Sequence, residues 1–472
     1  MSSDLVQLTL TEVADAIRKK AVSSVEVTRA CLARVDEVQP ALNCFITIER
    51  EEALAAARSA DAALARGEPL GALHGVPLAH KDMFYRTGRI ATCGSKMLRH
   101  SVQNVTATVV LKLEAAGAIW LGSLNMGEFA SDPTGGNAHF GGCRNPWGLD
   151  HVTGGSSSGS ASAVAARACF GSLGSDTGGS IRTPAAICGV AGLKPTNGRV
   201  STFGAMPRAW SHDCVGPLAR SVRDCARLLT VIAGADAHDA RCSDVPADDY
   251  EQHLRRDLTG LRIGVPKNYF YQDTSRDVQA CLDASLKVLE SLGARLVPVR
   301  VPDPQRVLAL SIVMTECESS AFHAEWMRSC PQDYSANVRA RFEPGLEIPA
   351  VRYIEAQYER TRLKQEFIDA VFDRVDVVHT PVLSIPVPTI SDAESTGKLR
   401  ELIPLFTRNT RTPSFLGLPA LTVPAGFSTN RMPVAFQLFA KPYAERLLLR
   451  VGAAYQDVTD WHARAPSLHT QS

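Results

Sequence analysis

The sequence predicts an α/β protein: a single large domain with a mixed, mostly parallel β-sheet covered by helices on both faces. Three observations carry that expectation. Between residues 70 and 220, short apolar segments such as VPLAH and AIWLG alternate with small-residue loops and helical stretches. Further on, LRIGVP at 261–266, the amphipathic RDVQACLDASLKVLESLGA and then RLVPVRVP form a β-α-β unit, whose crossover favours parallel pairing. Of the 472 residues 45% are hydrophobic and 21% charged, which is enough apolar material to bury one large core.

Residues 8–66 read as a helical framework. Leu8, Leu10, Val13 and Ile17 recur near helical spacing, followed by Val25, Val27, Leu32 and Val35 and by the run ALAAARSADAALAR. Thr9 or Thr11, ahead of Glu12 and Asp15, supplies an N-cap. The stretch 70–220, dense in glycine and serine, is the expected catalytic core, and about 230–370 is a variable insertion of helix and strand, mainly helical over 302–370. VDVVHTPV at 375–382 and ALTVPAG at 420–426 read as strands, and IPVPTISDAESTGK between them as a polar loop. There is no internal repeat and no linker long enough to separate autonomous domains.

A net charge of +1, with no block of five or six like charges, argues against nucleic acid or an anionic membrane as a partner. The start MSSDLVQLTLTEVADAIRKK lacks the basic, apolar, small-residue order of a secretory signal. No run of about eighteen apolar residues occurs, so no membrane helix is expected. The twelve cysteines, from Cys31 to Cys330, show neither C-x-x-C pairs nor zinc-type histidine spacing. Buried free thiols in a reducing, cytoplasmic setting are the reading, with no metal and no cofactor.

Three islands carry the chemistry: GVPLAHKDMF at 75–84, TGGSSSGSASAVAA at 153–166 and GSDTGGSIRTPAAICGVAGLKPT at 174–196. The second is more than a flexible Gly/Ser linker, because it runs straight into an Ala-rich helix. It is a poor phosphate loop, because no lysine follows its glycines. In the third, paired glycines beside Ser180 remove the Cβ atoms that would block an incoming carbonyl and leave backbone N–H groups near it. A nucleophilic serine needs a base; the usual partner would be histidine, and the histidine within an island is His80, adjacent to Lys81. Lysine can serve when desolvation makes it neutral near working pH, and Lys81 is available.

Together these islands resemble the amidase signature family, which uses a Ser–Ser–Lys arrangement. Lys81 precedes Ser156 by 75 residues and Ser156 precedes Ser180 by 24, as in that family. The resemblance covers nearly the whole chain and includes LNMGEFA at 124–130, NPW at 145–147 and GLPALTVPAGF at 417–427. It implies the amidase signature fold and hydrolysis of carbon–nitrogen amide bonds. Lys81 would be the base, Ser156 the relay and Ser180 the nucleophile that carries the acyl group. It places a cis peptide at Gly155–Ser156, an oxyanion hole at the N–H groups of Thr177, Gly178, Gly179 and Ser180, and Ala130 at a substrate-lining position. Asp176 and Arg182 are expected to shape the loop, Asp82 to point away from Lys81, and His80 to be a core histidine bonded to backbone.

The implied partner is a small-molecule amide or carbamate, with a homodimer left open. Carbamate, urethane or aryl-ester hydrolysis fits the same apparatus. So does the glutaminase subunit of a tRNA-dependent amidotransferase. That subunit holds the glutamine amino group with an acidic residue before its Gly-Leu-Pro segment. Here Thr407 falls at that position, with Arg408 and Arg411 after it, which argues against glutamine. A catalytically silent binding protein is the remaining alternative, and the presence of all three side chains speaks against it.

Overall fold

Two sheets organise the chain, and the line where they meet positions the site. The structure is a computed structural model and describes residues 2–467. A small sheet has the order β1 (Phe45–Ile48), β3 (Ile119–Leu124), β2 (Pro77–Lys81). A large sheet is built from β4 (Gly171–Asp176), β5 (Ala191–Lys194), β6 (Cys214–Ala219), β7 (Arg262–Pro266), β8 (Arg295–Val299), β9 (Val377–Pro381), β10 (Ala420–Phe427) and β11 (Pro433–Ala440). Its order is β4-β6-β5-β10-β11-β9-β7-β8.

The N-terminal helices form where the apolar spacing places them. Thr9 caps Leu10–Arg18 through a capping box with Glu12, and Leu10, Val13 and Ile17 are buried. Ser24–Leu42 and Arg50–Ala65 complete the framework, with β1 between them. FITI is too short for periodicity to separate strand from helix, and it becomes a strand by pairing with β3. One apolar cluster runs from Val6 to Tyr455, so the framework and the sheets share a core. A second packs Val307, Phe367 and Phe372 beneath Val299, Val378 and Phe439.

The α/β class and the mixed sheet are as expected, but the mostly parallel pairing is not. The large sheet has five antiparallel neighbour pairs. Only β7·β8 and β7·β9 are parallel. The recognisable β-α-β unit is the parallel part, with the helix Arg276–Ser291 as its crossover. Elsewhere β10 and β11 are joined by a tight turn, which links antiparallel strands only. The expected loop 385–398 is also revised. It turns helical at Ile390–Glu394, capped by Thr389, and the helix Thr396–Phe415 then starts within it.

β4 is an edge strand of the large sheet, and β2 covers its free edge. The Leu173 N–H donates to His80 Nδ1 at 2.9 Å, and the Phe170 N–H donates to the Pro77 carbonyl at 3.3 Å. This brings Lys81, the last residue of β2, beside Ser175 near the end of β4. All twelve cysteines are free; eight are buried and four are half-buried. Among the described residues no helix is long and apolar enough to cross a membrane.

Candidate active site

Lys81 is fully buried where the two sheets meet. Its Nζ donates to Ser156 Oγ at 2.7 Å and to Ser175 Oγ at 2.8 Å. Burial pushes its pKa down to about 7, against the opposing pull of Asp213 and Asp176. Ser156 lies in the loop leading into the helix Ser158–Ala165, and the Gly155–Ser156 peptide is cis. The Ser157 N–H donates to the Ser180 carbonyl at 3.3 Å, so the second and third islands are tied together.

The turn carrying Ser180 is fixed by a buried ion pair. Arg182 meets Asp176 with two bonds, Nη2 to Oδ1 at 2.9 Å and Nε to Oδ2 at 3.0 Å. Its remaining donors reach Gln437 Oε1 and Ser414 Oγ, both at 2.7 Å. Burial alone would raise the Asp176 pKa, but the Arg182 charge and hydrogen bonds hold it below the ordinary range. Replacing Arg182 by Gln leaves that carboxylate buried and unpaired, and is expected to cost about 3–5 kcal/mol. A denaturant midpoint measures this, and Arg362→Gln at an exposed helix pair should leave the midpoint in place.

One expected oxyanion donor is corrected by this clamp. The Gly179 N–H donates to Asp176 Oδ1 at 2.8 Å and is already occupied. Among the described residues, nothing accepts from the N–H groups of Thr177, Gly178 or Ser180. The two glycines therefore differ. Gly179 has φ +137, and a Cβ there would collide with Thr410 Oγ1, whereas a Cβ on Gly178 would meet only the Arg411 side chain, at 3.7 Å. Gly179→Ala should lower the thermal midpoint sharply. Gly178→Ala should fold normally, and thermal unfolding of both variants checks the contrast.

Ser180, Thr177, Gly178, Gly179 and Ala130 line one narrow cleft. Ala130 and its neighbour Phe129 both have positive φ, at 56° and 46°. The cleft is also lined by Arg208, Thr315, Arg341, Thr407 and Arg411, from the 205–213 loop and three helices. Thr407 faces this cleft, but Arg408 is directed elsewhere, to Asp273 at 3.2 Å and over the Tyr269 ring. Asp82 is turned from Lys81 and accepts from the Thr92 N–H at 3.0 Å and from the Thr92 hydroxyl. His80 is a buried histidine whose pKa burial pushes down to about 3, so it accepts from backbone as a neutral ring.

Sequence reasoning missed Ser175, although GSDTGGS contains it, because pairing of β2 with β4 is a tertiary fact. It also missed Asp213, which accepts from the Thr177 hydroxyl at 2.5 Å and from the Arg208 N–H at 2.8 Å. Arg208 and Arg341 carried no local signal, since both lie far along the chain from the serine islands.

A buried lysine and the serines of the second and third islands thus meet on one α/β scaffold. The comparisons give its family. Residues 26–449 match the Amidase family profile. A curated relative from Roseiflexus sp. (strain RS-1), one of the subunits of a glutamyl-tRNA(Gln) amidotransferase, is 40% identical over 98% of this chain and 99% of its own length. A solved structure described as a vestigial protein complex, bearing on the origins of an s-triazine catabolic enzyme, superposes with TM-score 0.89. It is 34% identical and covers 95% of this chain and 98% of its own. A bacterial aryl acylamidase of the amidase signature enzymes is 26% identical, with TM-score 0.87 over 98% of this chain and 99% of its own. The chain belongs to the amidase signature family, whose members hydrolyse amide C–N bonds.

Proposed function

We propose that the protein hydrolyses amide bonds through a Ser180 acyl-enzyme, with neutral Lys81 as base and Ser156 as relay. The observation that carries this is the buried Nζ of Lys81 at 2.7 Å from Ser156 Oγ, with a pKa pushed down to about 7. A neutral amine has two N–H groups and one lone pair. Ser175 Oγ accepts one N–H, so the lone pair is free to take the Ser156 proton.

In the forward step Ser156 passes its proton to Lys81 and takes one from Ser180, whose Oγ attacks the amide carbonyl. The N–H groups of Thr177, Gly178 and Ser180 donate to the developing oxyanion. Lys81 then returns its proton through Ser156 to the leaving nitrogen, and the C–N bond breaks. Water, activated by the same relay, adds to the acyl-enzyme and releases the acid and free Ser180. A carbamate or aryl ester would pass through the same type of intermediate. Twelve free thiols suit a cytoplasmic setting.

A second reading, the glutaminase subunit of a tRNA-dependent amidotransferase, draws on the 40% identical relative from such an enzyme. It would require protein partners and a carboxylate for the glutamine amino group, where this cleft has Thr407 beside Arg411. A hydrolysis screen of aliphatic, aryl and carboxylated amides, carbamates and glutamine decides between them. The first reading expects turnover of a simple amide by the chain alone, with hydroxylamine diverting the acyl group to a hydroxamate. Glutamine turnover alone, dependent on added partner proteins, would overturn it.

A further inference from the structure

Three arginines line the cleft that holds Ser180. Arg208 comes from the loop before β6, Arg341 from the helix Ala336–Glu347 and Arg411 from the helix Thr396–Phe415. Their bonds within the protein are to neutral groups. Arg208 Nη1 donates to Ser319 Oγ at 2.9 Å, and Arg411 Nη1 donates to Ser311 Oγ at 3.4 Å and Thr315 Oγ1 at 3.5 Å. Among the described residues, nothing hydrogen-bonds the buried Nε and Nη2 of Arg341.

Asp132, Asp213 and Glu316 lie within electrostatic reach of this cluster. Asp132 is committed to Thr134 and to Asn337 Nδ2, and Asp213 to Thr177 and the backbone of Arg208 and Ala209. Among the described residues, none of these carboxylates comes within 4.0 Å of a guanidinium nitrogen of the three. Burial and mutual repulsion hold Arg208 and Arg411 down at about 10, so both stay charged at neutral pH. Like charges gathered in one buried wall, with guanidinium donors unfilled, are unfavourable until an anion arrives.

We propose that the substrate is a small amide whose acyl half ends in a carboxylate, gripped by Arg208, Arg341 and Arg411. This rests on the Ser180 reading and names the substrate class of that site: half-amides of short dicarboxylic acids. The chain is short because the Arg411 side chain lies close to Gly178, in the turn beside Ser180, and because the cleft is small. The anion belongs to the acyl half because that half stays on Ser180 through both steps. An anionic amine would have to leave the cluster before the deacylating water acts.

The test compares kcat/KM for succinamate and glutaramate with that for the neutral diamides succinamide and glutaramide. The carboxylated substrates should be preferred at least 100-fold, as expected for charge-assisted guanidinium contacts. Arg341→Gln and Arg411→Gln should each cut that preference at least tenfold, mainly through KM. Free glutarate should protect Ser180 of the unaltered enzyme from a neutral fluorophosphonate, which keeps the test independent of how the variants fold. Equal or faster hydrolysis of the neutral diamides overturns this inference and leaves the Ser180 reading standing. Failure to hydrolyse any amide, with Ser180 unlabelled by the probe, removes the reading beneath it.

Discussion

Ser180→Ala is expected to lower kcat/KM for amide hydrolysis by roughly 10⁴-fold or more, because it removes the proposed nucleophile. Ser180 projects from a turn held by the Asp176–Arg182 pair, so the substitution removes one oxygen and leaves the frame intact. The thermal midpoint should therefore stay close to that of the unaltered protein. Adding Lys81→Met to Ser180→Ala should cost almost nothing further, since relay members act as one unit. Steady-state rates for both single variants and the double variant check this. Additive losses would mean that Lys81 and Ser180 act separately.

Lys81→Met carries the second large effect, a fall of roughly 10³–10⁴-fold in kcat with a change of pH profile. The sign follows from the lysine's altered pKa. Neutral Lys81 is the proposed base, and burial places its pKa at about 7. The rate should therefore rise as pH increases through about 7, level off above it, and fall as the amine is protonated below it. In Lys81→Met that limb should disappear. Lys81→Arg should not restore it, because a guanidinium stays protonated throughout this range. A pH series of kcat/KM on the three proteins measures all of this.

Much of this site was legible because the residues proposed to do chemistry sit in short glycine- and serine-rich islands at fixed spacing. Lys81, Ser156 and Ser180 could be picked out before any fold was known, and the structure places Lys81 against Ser156 and ties the Ser156 loop to Ser180. The limits have physical causes. Gly179 was assigned a donor role that Asp176 already uses, and a side chain's choice of backbone N–H is not written in local sequence. Ser175 reaches Lys81 only because β2 covers the open edge of β4. Pairing direction was misjudged where strands lacked a crossover helix, while the β7–helix–β8 unit was read correctly as parallel. The arginine wall joins residues 208, 341 and 411, a grouping that only the assembled helices create.

The rate at which a neutral fluorophosphonate modifies Ser180, followed by peptide mass as a function of pH, tests the relay most directly. It needs no knowledge of the natural substrate. The unaltered enzyme should be labelled at Ser180 with a rate that rises through pH 7, and Lys81→Met should react roughly 10³-fold more slowly with no such rise. Adduct on another residue, or the same pH dependence with and without Lys81, would contradict the account.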